Sequence, residues 1–190
     1  MHGSVRGKTS EKNISEVHLL DIIKEVNMDK NTSRNVALCG VIIAIAVVFG
    51  TFSIPVIGAK MSPVQHFINI VSAVTLGPSN AVLNAFVASL LRNILGTGSL
   101  LAFPGSMVGA LISGLFFKKF KKVISALIGE VIGTGILGAL LAYPVAVLLM
   151  GKESAIFVYI IPFLISCSGG AVMAYIFLQV PVVKKVLVRR

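Results

Sequence analysis

Residues Leu90 to Leu111 read LLRNILGTGSLLAFPGSMVGAL, and this stretch decides the fold. It ends one apolar segment on Arg92 and Asn93, turns through Gly96-Thr97-Gly98-Ser99, and re-enters apolar sequence at once. Two apolar segments joined by a tight polar turn are a helical hairpin in a lipid environment. An arginine beside hydrocarbon is costly enough to require a reason. Three reasons are open at this level: a snorkel to the interface, a buried partner, or a bound ligand.

Composition agrees with the membrane reading. The 190 residues are 56% hydrophobic, and only 13% are charged, about half the share usual in soluble domains. Mean hydropathy is +0.94. The apolar runs are apolar on both parities, which excludes the alternation of a β-barrel. The formal net charge of +10 does not indicate nucleic acid, because the bases sit at segment ends: Arg34, KKFKK (Lys118 to Lys122), and Lys184, Lys185, Arg189 and Arg190. No aromatic-interleaved basic pattern accompanies them. Cys39 and Cys167 fall in apolar runs and read as buried free thiols. The first 34 residues contain no long apolar core, so no cleavable signal peptide is expected at the start.

Taken in order, the chain predicts an all-α membrane protein of six transmembrane helices. Residues 1–34 are a polar cytoplasmic segment in which Ser15 to Val26 spaces Val17, Leu20 and Ile23 as an amphipathic or ordinary solvated helix. Translation starting at Met28 is an alternative that removes residues 1–27. The transmembrane domain is expected over residues 35–180, with segments at about 35–52, 64–76, 81–95, 100–117, 123–150 and 155–180, and a basic tail over 181–190. Thr51 to Pro63 is expected to be a loop. Placing every basic cluster on the cytoplasmic side needs an even number of spans between them, so both termini are expected inside.

With that topology Gln65, His66 and Asn69 begin segment 2 near the outer face. Arg92 and Asn93 end segment 3 there, and Ser99 and Ser106 begin segment 4 at the same level. Three consecutive segments converge on one depth, which marks a candidate binding site. Glu130 and Thr134 share a face of segment 5, but Glu130 lies roughly 12 Å along that helix from Lys122. It is therefore expected in the inner half, apart from Arg92 and His66. Catalytic patterns are missing: there is no HExxH, GxSxG, P-loop or cysteine-histidine zinc spacing. No metal or cofactor is expected, and the chain does not energise transport by ATP hydrolysis alone.

Three stretches carry a family resemblance: PVIGAKMSPVQHFINIVSAVTLGP (Pro55 to Pro78), LLRNILGTGSLLAFPGSMVGALISG (Leu90 to Gly114) and GEVIGTGILGALLAYPVA (Gly129 to Ala146). With segment 1 they cover nearly everything from Arg34 to Gly151. They resemble the ThiW type of S component, the substrate-capture subunit of an energy-coupling factor (ECF) vitamin transporter. The resemblance implies six helices, an outward-facing small-molecule pocket, and no enzymatic activity. It also implies a membrane coupling (T) subunit and two cytoplasmic ATPases as partners. Its ligand would be hydroxyethylthiazole, the thiazole precursor of thiamine. A small-xxx-small strip on the first helix docks on the coupling subunit in such proteins; here Gly40 and Ala44 occupy it, widened by Ala37. Two other readings compete: a stand-alone secondary carrier with Glu130 as coupling acid, and an intramembrane enzyme using His66 with Glu130. The differing expected depths of His66 and Glu130 weigh against the enzyme, and the lack of an inverted repeat weighs against the carrier.

Overall fold

A computed structural model describes residues 32–56, 59–153 and 155–187. The expected amphipathic helix at Ser15 to Val26 lies outside the described residues. The chain divides into two units, 1–38 and 39–190. The described part of the first is the start of helix α1 (Thr32–Gly50), where Ala37 is exposed. In the second unit α1 continues with Ile42, Ala46 and Gly50 buried at four-residue spacing, while Gly40, Val41, Ala44, Ile45, Val48 and Phe49 are exposed.

The expected loop after α1 instead contains a two-stranded antiparallel hairpin, β1 (Ile54–Val56) with β2 (Ala59–Met61), in the register Ile54 to Met61. Strands of three residues are too short for alternation to show in the sequence. Helix α2 (Pro63–Leu76) follows at once, with a proline in its first turn, where no N–H is needed. Gly77, at φ 83, reverses the chain, and Pro78 opens α3 (Pro78–Ile94). Helix α4 (Ala102–Phe120) ends when Lys121 adopts the left-handed conformation and its N–H returns to Phe117 O. Helix α5 (Val123–Leu149) is the longest, and α6 (Ile160–Gln179) and α7 (Pro181–Leu187) complete the described chain.

Among the described residues, α1, α5 and α6 are long and apolar enough to cross a membrane. Their flanks and those of α4 show bulky apolar side chains outward, such as Leu111 and Leu115 on α4, Ile124, Ile128 and Ile132 on α5, and Ile161, Ile165 and Val172 on α6. The interior holds Gln65, His66, Asn69, Ser89, Arg92, Ser106, Glu130 and Thr134. This inside-out distribution suits lipid as the solvent and would be an aggregation liability in water.

Association in lipid gains little from the hydrophobic effect, so helices must approach closely enough for dispersion to hold them. The α4–α5 crossing does this through glycine. A Cβ at Gly129 would lie 2.8 Å from Ser113 Cα, one at Gly133 2.8 Å from Gly109 Cα, and one at Gly138 2.7 Å from Gly105 Cα. At the α2–α6 crossing a Cβ at Gly170 would lie 2.6 Å from His66 Cβ. Helix α5 also changes its hydrogen-bond ladder, with π-type stretches at Gly133–Gly138 and Val145–Leu149. Pro144 has no N–H to give and crowds the preceding turn, and after it Met150 N bonds to Val145 O, five residues back.

Two apolar clusters separate along α5. One gathers Leu101, Ala139, Ala142, Ala146, Tyr159 and Phe163; the other gathers Ile70, Val74, Phe117, Ala126, Ala174 and Leu178. The polar layer containing Glu130 and Thr134 lies between them. This corrects the expected separation of Glu130 from His66. Helix α2 has only 14 residues, about 21 Å at 1.5 Å per residue, against a hydrocarbon core of about 30 Å, so its two ends do not both reach the surfaces of that core. The 2.9 Å contact of His66 Nδ1 with Glu130 Oε1 sets its first turn level with Glu130, not at the end of α5.

Candidate binding cleft

The cleft is assembled from β2, the starts of α2 and α6, the end of α3, and the turn into α4. Its lining includes Lys60, Ser62, Gln65, His66, Arg92, Ser99, Ser106, Phe163 and Ser166, around a space of about 500 Å³ counting its open mouth. Ser62 N donates to Ser166 Oγ at 3.0 Å, which joins the start of α2 to α6.

Arg92 is 2% exposed, so it does not snorkel. Its Nη1 donates to Gln65 Oε1 and its Nη2 to Gly50 O. Gly50 is the last residue of α1, and the carbonyl end of a helix carries partial negative charge. The guanidinium therefore caps α1 while tying it to α2. A Cβ at Gly50 would fall 2.7 Å from Arg92 Nε, so glycine makes room for the contact. Among the described residues no carboxylate pairs with Arg92; the ion pair found there is His66 with Glu130. The chain of donors continues in one direction. Gln65 Nε2 donates to Ser89 Oγ at 3.0 Å, Ser89 lies 3.2 Å from Ser106 Oγ, and Ser106 donates to Ala102 O at 2.8 Å. Because Ser106 spends its proton on Ala102 O, Ser89 is the donor between the two serines.

Beneath this floor Glu130 is fully buried. Its Oε1 lies 2.9 Å from His66 Nδ1, 3.0 Å from Asn69 Nδ2 and 3.0 Å from Thr134 Oγ1, while Oε2 has no partner. Asn69 Nδ2 also donates to Ser106 O at 3.2 Å, and Thr134 Oγ1 lies 3.1 Å from Gly105 O. With His66 Nδ1 engaged by Glu130, Nε2 is the ring nitrogen available to a molecule in the cleft.

Of the residues singled out in the sequence, Gln65, His66, Arg92, Ser99 and Ser106 line the cleft. Asn69, Glu130 and Thr134 form the layer under it. Asn93 does not line it: its Nδ2 donates to Ser89 O at 2.8 Å and Ser99 O at 3.2 Å. It closes the turn in which Thr97 N and Gly98 N both bond to Arg92 O. Asn93→Ala is therefore expected to lower stability by about 1 kcal/mol through the lost turn bonds, read as a fall in Tm of the purified protein. Lys60, Met61, Ser62, Pro162, Phe163 and Ser166 were not identified as site residues from the sequence. A lone cation ahead of an apolar helix was the available sign for Lys60; nothing in the spacing of α6 distinguished Phe163.

The model of one protein family matches residues 36–184, and it describes a thiamine-precursor transporter protein, ThiW. Neither curated proteins nor solved structures gave a match. The match spans α1 to α7 and includes every residue of the cleft, so the chain belongs to the ThiW family of thiamine-precursor transporter proteins.

Proposed function

We propose that the chain is the substrate-capture (S) subunit of an ECF-type importer and binds hydroxyethylthiazole from the outside. The observation that carries this reading is a cleft with a floor of buried, oriented polar groups, open on one side, in a member of a thiamine-precursor transporter family. A small heteroaromatic alcohol suits such a lining: Phe163 offers a ring face, and Ser106, Ser166, Gln65 and His66 offer hydrogen bonds to a ring nitrogen and a hydroxyl. The site residues of the proposal are Gln65, His66, Arg92, Ser99 and Ser106, with Asn69, Glu130 and Thr134 supporting them. Six spans with both termini cytoplasmic, a polar segment over 1–34 and a basic tail over 181–190 complete the proposed layout, supported by the basic clusters at segment ends.

The absence of a nucleotide-binding motif means that energy must come from elsewhere, here from a membrane coupling subunit and two ATPases. Residues Ala37, Gly40 and Ala44 of α1 are proposed to dock on the coupling subunit. Gly40 and Ala44 are exposed, and a Cβ at Gly40 meets nothing within 4 Å. Gly40→Leu is expected to leave Tm and ligand affinity of the isolated protein unchanged and to abolish co-purification with the coupling subunit. Undiminished co-purification would move the docking surface off this strip.

Isothermal titration of the purified protein with hydroxyethylthiazole, thiamine and hydroxymethylpyrimidine tests the capture reading. One-to-one binding of the thiazole alone is expected. The 2.9 Å contact between His66 and Glu130 removes the depth objection to acid–base chemistry and keeps an enzymatic reading in view. Recovery of the ligand chemically unchanged after prolonged incubation separates capture from turnover.

A further inference from the structure

The cleft is richer in hydrogen-bond donors than a neutral alcohol requires. Lys60 and Arg92 line it, and neither side chain has an acceptor. The oxygens around them are already engaged. Gln65 Oε1 accepts from Arg92, Ser99 Oγ from Leu101 N at 3.3 Å, and Ser166 Oγ from Ser62 N at 3.0 Å. What the two serines keep for a ligand is a proton. Ser62 gives the sharpest sign. It stands at the N-cap of α2, where a serine side chain ordinarily accepts from the first turn of the helix. Its hydroxyl makes no cap bond and has no partner among the described residues, although Ser62 is only 5% exposed in the cleft lining. A buried hydroxyl without a partner is costly, and a ligand oxygen would supply one. The N-terminal end of α2 adds partial positive charge at the same place.

Charge points the same way, and it does so for every protonation state of the floor. The acidic side chains among the described residues are Glu130 and Glu153, and Glu153 is exposed beyond α5 and outside the lining. Two cations against the one carboxyl group of Glu130 leave an excess of positive charge whether Glu130 is ionised or not. Arg92 is held by Gln65 and Gly50. Lys60, exposed on β2, has no ion-pair or hydrogen-bond partner among the described residues. A cleft with low-dielectric walls concentrates such a field on what enters it.

Resting on the capture reading, we propose that the cleft contains an oxyanion subsite formed by Lys60, Ser62 and the charge of Arg92, and that its ligands include azoles whose side chain ends in a carboxylate or phosphate group. Lys60 and Ser62 donate to the anion, and the neutral alcohol leaves this subsite without its charged complement.

The test titrates the full-length protein in detergent with four ligands of one ring: hydroxyethylthiazole, its phosphate ester, the corresponding thiazole acetic acid, and the neutral amide of that acid. At least one of the two anions is expected to bind about tenfold or more tightly than the alcohol, since charge-assisted hydrogen bonds are about twice as strong as neutral ones. Which of them gains identifies the group as phosphate or carboxylate, and the amide controls for size. Added salt should weaken the anion and spare the alcohol. In Lys60→Met the anion-to-alcohol affinity ratio is expected to fall about tenfold, and in Ser62→Ala about threefold, as the charged and the neutral donor are lost. Ser62→Ala should leave Tm unchanged, whereas a helix-capping role for this hydroxyl predicts a lower Tm. Binding of both anions no tighter than that of the alcohol overturns the proposal while leaving capture intact. So does a wild-type ratio in Lys60→Met. Binding of none of the four overturns the capture reading and the proposal with it. If Lys60→Met does not accumulate, the wild-type ligand series and Ser62→Ala still decide.

Discussion

Arg92→Ala is expected to abolish ligand binding and to lower Tm more than any other single truncation in the cleft. The guanidinium satisfies Gln65 Oε1 on α2 and Gly50 O at the end of α1, and Gln65 is 4% exposed. Each acceptor left buried and unpaired costs about 1–3 kcal/mol. Against this stands some relief, since a buried cation without a carboxylate partner carries its own desolvation cost. The two lost acceptors and the emptied volume outweigh that relief, because the rest of the polar floor is ordered through Gln65. With Oε1 unheld the amide is free to rotate, and Ser89 and Ser106 lose the direction of their hydrogen bonds. Lysine should not rescue the variant: a single ammonium does not reproduce the fork that reaches both acceptors. Thermal unfolding and titration of Arg92→Ala and Arg92→Lys check this. A wild-type Tm for the alanine variant would show that the bridge between α1 and α2 contributes nothing.

Much of this layout was legible in the sequence. Helix ends fell near their punctuation: Gly77-Pro78 between α2 and α3, the Gly96 to Ser99 turn, and the lysine run closing α4. Gln65, His66, Arg92, Ser99 and Ser106 were found together because each breaks an apolar run near a segment end, and polar groups in lipid must find one another. Glu130 was misjudged for a definable reason. Its depth was read along α5 on the assumption that every helix starts at the membrane surface, whereas the short α2 follows a β-hairpin and its first turn meets Glu130. The contacts of α6 were hidden because they depend on the close approach of Gly170 to His66, a tertiary property with no period in the sequence. Asn93 looked like Arg92's neighbour in function, but adjacent helical residues point about 100° apart, and it serves the turn instead.

Gly109→Ala is the second change expected to have a large effect, and it separates the site from the scaffold. A Cβ at position 109 would press on Thr134 Oγ1 and lie 2.8 Å from Glu130 Oε2. Thr134 is β-branched, with restricted χ1 freedom, and Gly133 backs it with main chain against main chain. The helices must separate or Glu130 must swing away from His66. Overpacking of this kind costs about 1–3 kcal/mol, and displacement of Glu130 should weaken ligand binding at least tenfold, or about 1.4 kcal/mol. Gly114→Ala is the matched control. Its Cβ would lie 2.6 Å from Pro78 Cα, equally crowded but far along α4 from the polar layer. Both variants should unfold at lower temperature, whereas only Gly109→Ala should lose affinity. Equal losses of affinity in the two would mean that ligand binding depends on general tightness of the bundle. A difference confined to position 109 would tie it to the placement of one buried carboxyl group.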